Sequence, residues 1–263
     1  GPDEIHTGVD NNAFTNHLVA WHLARAVRAA GDLEAAGAWD ALSEKTGVTD
    51  DEIARWQEIA SKMYVPFDSE RGFHEQFDGY FGLEEREIDR SMTKMQYTGP
   101  VQHSFKPTKV AQQADTMLMY HLFGDDFEPE VMRRAFAFYE PRCSHTSTLS
   151  RAVFASVAAR TGLLDEALRL FRESLLTDIG PDAECESGIH AACLGGNWQA
   201  AVMGFGGFGI RRGLPCFEPH LPPGWDGLSF GVTWRGKRID ADVRLGEITL
   251  RTDSGRLTAL VGE

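Results

Sequence analysis

Near the start of the chain a carboxylic acid stands two residues before a histidine, in Gly1-Pro2-Asp3-Glu4-Ile5-His6. Gly1-Pro2 is a turn signal, so Glu4 falls on a loop ahead of the apolar helix that follows. A carboxyl group there can act as a general acid, because its surroundings can tune its pKa. The run Asp10-Asn11-Asn12-Ala13-Phe14-Thr15-Asn16 comes next. On local grounds the whole stretch also reads as a solvated acidic N-terminus with an Asp/Asn helix cap. Cys185 and Cys193 flank His190, but their spacing fits no zinc pattern, so no metal is expected.

The elements that must position these groups are mostly helical. Phe14, Leu18, Trp21, Leu23 and Val27 give a helix over 10–30 that Gly31 should end. A short helix over 32–45 should stop at Gly47. Thr49 and Glu52 form a capping-box pattern ahead of Ile53, Trp56, Ile59 and Met63. The stretch 65–105 lacks periodicity, yet Phe73, Phe77, Tyr80 and Phe81 make it too aromatic for disorder, so it should pack against something. Pro107 should start a helix from Thr108 to Leu122, with Gln112 and Gln113 on it as solvated residues. Further helices are expected over 129–138, through Val153 and Val157, over 163–177, and from His190 to about Met203. Gly204-Phe205-Gly206-Gly207-Phe208-Gly209 reads as a hinge and not as a dinucleotide fingerprint, since no strand precedes it. Beyond it, 228–232, 238–243, 248–251 and 257–261 read as strands. Helical hairpins without a sequence repeat point to a closed helical toroid. In one, the loops at one end would gather Glu4, the 65–105 stretch, Gln112-Gln113, Ser147-Thr148 and His190.

The chain has 263 residues and a net charge of -13. That excess of acid argues against nucleic acid or an anionic membrane as partner. No apolar run approaches the ~18 residues of a membrane span. No basic-then-apolar leader is visible, so a cytoplasmic location is expected, with Cys143, Cys185, Cys193 and Cys216 reduced.

Several stretches, in order, together resemble glycoside hydrolase family 65, the inverting disaccharide phosphorylases. They are Gly1-Pro2-Asp3-Glu4 with Asp10 to Asn16; Glu75-Gln76-Phe77-Asp78-Gly79-Tyr80-Phe81; Gln112-Gln113-Ala114-Asp115; Tyr139-Glu140-Pro141-Arg142 with Ser144 to Ser150; Gly188-Ile189-His190-Ala191-Ala192 with Gly195-Gly196-Asn197-Trp198; and Gly204 to Gly207. The resemblance implies a mainly α chain: the second half of an (α/α)6 barrel over 1–210, then a small antiparallel β domain over 211–263. It implies that the first barrel helices and an N-terminal β-sandwich have no counterpart here, with a homodimer or a second chain left open as the partner.

The resemblance also assigns roles. Glu4 matches the general acid of an inverting phosphorolysis, in which phosphate attacks the anomeric carbon from the opposite face. Gln112 and Gln113 match sugar-binding residues, although the family usually has Lys-Gln there. Ser147, Thr148 and His190 match phosphate-binding positions at helix starts, where free N–H groups favour an anion. Gly195 and Gly196 match too, though within or beside a helix. Thr146 stands where an acid is often found, which removes a negative charge near the phosphate. The expected substrates are an α-linked glucose disaccharide and inorganic phosphate, with no cofactor. Two alternatives remain: a hydrolase of the same family, using Glu184 or Glu186 as base, and a fragment that turns nothing over. Locally, Ser147-Thr148 reads as a helix cap and His190 as a buried structural histidine.

Overall fold

The computed structural model describes residues 1–89, 104–180, 188–253 and 258–262. The backbone divides into two compact units, one of Gly1 with Thr7–Leu83 and one of Pro2–His6 with Glu84–Glu263.

The first unit holds helices α1 (Ala13–Ala35), α2 (Trp39–Thr46) and α3 (Asp50–Lys62). Asn12 caps α1, its side chain accepting the Thr15 N–H at 2.9 Å. The expected stop at Gly31 does not occur. A glycine ends a helix when it takes a left-handed φ, and that conformation falls at Gly37, φ 67°, not at Gly31. Gly47 does end α2, with φ 77°. The capping box of α3 is present in both directions, with Glu52 N–H on Thr49 Oγ1 at 3.2 Å and Thr49 N–H on Glu52 Oε2 at 3.0 Å. Thr49→Ala should therefore cost about 1 kcal/mol, readable as a lower midpoint of chemical unfolding. Strands β1 (Phe67–Asp68) and β2 (Phe73–His74) form a small antiparallel hairpin. The aromatic stretch packs on itself: Phe73 meets Phe81 edge-on, as Phe77 does Tyr80, and Tyr80 is fully buried. Residues 90–103 of the stretch lie outside the described ones.

The second unit is built around α6 (Ser150–Arg160), whose residues from Phe154 to Ala159 are all buried. Helices α4 (Asp115–Leu122), α5 (Pro129–Tyr139), α7 (Leu164–Leu175) and α8 (Ala191–Gln199) pack around it. Small side chains make this possible: Ala152, Ala155, Ser156, Ala158 and Ala159 leave room for neighbouring backbones. A Cβ on Gly196 of α8 would stand 3.1 Å from the Ala152 Cβ, and one on Gly204 3.0 Å from the Ser156 Cα. α8 passes directly into a π-helical segment, Ala200–Phe205.

α4 starts seven residues later than Pro107 and Thr108 suggest. Residues 108–113 instead bond laterally. Thr108 bridges to Glu84 and Ala111 to Cys143, and the Ala111 N–H donates to Arg142 O at 2.9 Å. Amides spent on tertiary partners cannot close i→i−4 helical bonds.

His121 of α4 is buried, with Nδ1 2.9 Å from Ser156 Oγ and Nε2 3.4 Å from Gln199 Oε1. Burial pulls its pKa down to about 4; the Gln199 bond opposes this and the Arg160 charge reinforces it. Its unfolded value is 6.5. The neutral ring is the folded form, so its contribution is complete above pH 6.5 and is lost as pH falls toward 4. The loss reaches about 3 kcal/mol. Urea unfolding at pH 7 and pH 4.5 should show it, and His121→Gln should flatten that part of the slope.

After the π segment the chain turns to β structure. Strands β3 (Phe208–Arg211) and β4 (Leu214–Phe217) pair antiparallel, and β8 (Leu260–Val261) lies parallel beside β4. Strands β5 (Gly227–Trp234), β6 (Lys237–Arg244) and β7 (Glu247–Thr252) form an antiparallel meander. Ile239, Ala241 and Val243 on alternate positions of β6 are buried, and Ile239 and Ala241 join a core with Val202, Phe217 and Val232. The glycine run is not a hinge. A Cβ on Gly207, at φ 63°, would overlap the Glu218 carbonyl, and one on Gly206 would lie 2.6 Å from the Phe230 ring. These glycines permit close packing. Among the described residues, no helix is long and apolar enough to cross a membrane.

Candidate active site

Glu4 is exposed, and among the described residues it has no hydrogen-bond or ion-pair partner. Its neighbours are the opposite. Asp3, Ile5 and His6 are each at most 6% exposed. The Asp3 carboxylate accepts the Gln112 N–H at 2.9 Å and meets His6 Nδ1 at 2.6 Å. The Asp3 N–H donates to Asp115 Oδ2 at 3.3 Å, and His6 Nε2 lies 2.8 Å from Thr108 O. Both nitrogens of the His6 ring thus face oxygen acceptors. Ile5 packs with Phe105, Val110 and Ile88. Asp3 and His6 are turned inward and bonded and Ile5 is packed, so the carboxyl of Glu4 between them is presented outward.

The Asp3 bond ties one of the sugar-site candidates, Gln112, to the loop that carries Glu4. Gln112 is buried, its N–H on Asp3 and its carbonyl 3.7 Å from Cys143 Sγ. Gln113 is half-buried in the turn before α4, its carbonyl accepting the Asp115 N–H at 3.0 Å. Both lie in this turn, not on the helix the sequence suggests.

From Cys143 the chain leads to the hydroxyl pair. Ser144 N–H donates to Ala111 O at 2.8 Å. His145 adopts φ 52°, in the left-handed region. Its Nδ1 is 2.9 Å from Ser150 Oγ, and its carbonyl accepts Arg151 Nη1 at 2.8 Å. Ser147 Oγ accepts the Leu149 N–H at 3.3 Å. The N-cap of α6 is Leu149, without a side-chain cap bond. So Ser147 shapes the turn ahead of α6, neither Ser147 nor Thr148 is its N-cap, and the Thr148 hydroxyl has no partner among the described residues. The Tyr139–Arg142 motif is structural. Arg142 grips Glu85 through two 3.0 Å bonds, which hold the Glu85 carboxyl below its usual range, and Glu140 binds Arg169 at 2.8 Å.

His190 is the N-cap residue of α8. Its Nδ1 lies 2.6 Å from Asp178 Oδ1, and its backbone N–H donates to Asp178 Oδ2 at 2.9 Å. The His190 ring bond, first among its causes, holds the Asp178 carboxyl below the usual range. Contacts between α6 and α8 with its π continuation advance in one sense: Ala152 meets Gly196, then Ser156 meets Gly204. The two helices therefore run parallel, and their N-terminal ends, carrying Thr148 and His190, lie at one end of the unit. Gly195 and Gly196 sit in the body of α8, Gly195 facing open space. Glu184, Glu186 and Cys185 lie outside the described residues. Among those described, no three His, Cys, Asp or Glu side chains could hold a metal.

Sequence reasoning gave no role to Asp3, His6, Asp115 or Asp178. The Asp3–His6 spacing of three was a usable signal; Asp178, twelve residues before His190, offered none.

The chain is similar to several known proteins. It is 34% identical to a kojibiose phosphorylase of Halothermothrix orenii, over 95% of this chain and 33% of that one. It is 35% identical to a 1,2-alpha-glucosylglycerol phosphorylase of Bacillus selenitireducens, over 97% and 35%. An alpha,alpha-trehalose phosphorylase of Geobacillus stearothermophilus is 32% identical over 92% and 32%. The chain thus spans about a third of the length of these curated relatives. A solved structure from the human microbiome, provisionally named kojibiose phosphorylase, has the same fold. Its TM-score is 0.81 at 23% identity, over 99% of this chain and 39% of that one. The glycosyl hydrolase family 65 central catalytic domain matches residues 1–199, and the family's C-terminal domain matches residues 209–261. On these matches the chain belongs to glycosyl hydrolase family 65.

Proposed function

We propose that this chain carries the acid and the phosphate-binding groups of an inverting phosphorylase acting on an α-linked glucose disaccharide. Glu4 gives its proton to the glycosidic oxygen as the C1–O bond breaks, and the second sugar leaves as an alcohol. A phosphate oxygen forms the new bond to C1 from the opposite face, giving β-glucose 1-phosphate. Phosphate supplies the nucleophile, so one protein carboxyl suffices. The observation that carries this reading is the exposed Glu4 among buried Asp3, Ile5 and His6, of which Asp3 and His6 are hydrogen-bonded. The phosphorylase names of the relatives support phosphate over water as acceptor.

Gln112 and Gln113 contact the sugar. Ser147, Thr148 and His190 hold the phosphate, using hydroxyls, a ring nitrogen and two helix N-termini in place of any carboxylate. Gly196 acts through the approach of α8 to α6, and neither it nor Gly195 donates a free amide, since helix geometry bonds their N–H groups to earlier carbonyls. We further propose that α4–α8 belong to the second half of an (α/α)6 barrel within a part spanning 1–210, with a β domain over 211–263. The matches at 1–199 and 209–261 support that division. Proton NMR of the first glucose 1-phosphate formed from kojibiose or trehalose tests the stereochemistry. The β anomer is expected, and initial formation of the α anomer would overturn inversion.

A further inference from the structure

We propose that Asp178 is the positioning residue for His190, fixing the imidazole so that Nε2 is the nitrogen presented to phosphate. The inference rests on the reading of His190 as a phosphate contact. Its basis is the two-point attachment. One carboxylate oxygen takes the ring Nδ1 at 2.6 Å and the other takes the backbone N–H of the same residue at 2.9 Å. A single bond would leave the ring free to swing about its χ angles, whereas bonds to backbone and ring together define both where the residue sits and which way the ring faces. An Nδ1–H given to the carboxylate leaves Nε2 as the outward atom, and Nε2 has no partner among the described residues.

Helix capping alone does not account for the contact. A capping carboxylate accepts from the first-turn amides, whereas Asp178 accepts from the N-cap residue's own N–H and ring. The Ala192 and Cys193 amides stay available at the start of α8, on the same helix end as the His190 ring. The arrangement also resolves a charge conflict. A carboxylate facing a phosphate site would repel the ligand, but the Asp178 side chain is only 9% exposed, behind a histidine that is 24% exposed. The ring stands between the two anions and bonds to both.

The test is histidine 15N NMR of the chain, titrated with inorganic phosphate, for the native protein, Asp178→Asn and Asp178→Glu. In the native chain Nδ1 should carry the proton bonded to Asp178, and the Nε2 resonance should move with saturating phosphate. Asp178→Asn should mix the two tautomers of His190 and weaken phosphate at least fivefold, and Asp178→Glu should recover part of both. In a His190→Gln background, Asp178→Asn should change phosphate affinity by less than twofold. A native ring protonated only at Nε2 would overturn the inference without any variant. So would an Asp178→Asn chain with unchanged tautomer and phosphate affinity. Failure of phosphate to shift either His190 nitrogen in the native chain would overturn the phosphate reading and the inference with it.

Discussion

Glu4→Gln should lower phosphorolysis on the order of 10³-fold while leaving the fold intact. Gln keeps the size and polarity of the side chain but has no proton to give to a leaving oxygen. Glu4 is exposed and without a described partner, so its replacement should change stability by no more than about 0.5 kcal/mol. Loss of turnover with an unchanged unfolding midpoint separates chemistry from folding. A glucosyl donor whose leaving group needs no protonation should lose far less, because the acid's task has been removed. Equal losses on both donors would mean that Glu4 acts by binding and not by protonation.

Asp3→Asn is expected to damage both stability and rate, because Asp3 is buried and bonded next to Glu4. Asp3 and His6 are 2% exposed or less at their side chains and meet at 2.6 Å. Asn can still accept the Gln112 N–H through its single oxygen, but it then turns an NH2 toward His6 where the second oxygen of Asp3 stands. Losing a buried hydrogen bond in this way costs about 1–3 kcal/mol. The loop that aims Glu4 depends on the same bonds, so kcat should fall by roughly 10²-fold, since a misplacement of about 1 Å suffices for that. The check is a urea midpoint beside a turnover assay. Asp3→Asn should shift both, where Glu4→Gln shifts only the second.

The contrast between these variants shows what sequence could and could not reveal. Glu4 was legible as an acid on a loop, and the order of family motifs suggested the role proposed for it. The bonds that hold it were not, because Gln112 and Thr108 are more than 100 positions away from Asp3 and His6. Helices α5, α6 and α7 were legible, since an apolar residue recurring every three or four positions has few other outcomes. Strands β5, β6 and β7 were legible from alternation, as buried Ile239, Ala241 and Val243 show.

The start of α4 was misread because Pro107 carries a local helix-start signal, whereas the lateral bonds of residues 108–111 are tertiary. Strands β3 and β4 were missed because the glycines before them look flexible. Only the structure shows Gly207 pressed against Glu218 and Gly206 against Phe230. Ser147 and Thr148 invited a capping interpretation that the turn geometry at Leu149 does not support. Asp178 was invisible for a simpler reason: an aspartate in a loop has no pattern until its histidine is seen beside it.

The central claim is that Glu4 protonates a glycosidic bond while phosphate takes the glucosyl group. The most direct measurement is product analysis after incubating the chain with kojibiose and with trehalose, with and without inorganic phosphate, for the native protein and Glu4→Gln. Glucose 1-phosphate should appear only with phosphate and be nearly abolished in the variant. Free glucose released at the same rate without phosphate, or glucose 1-phosphate made equally well by Glu4→Gln, would contradict the claim.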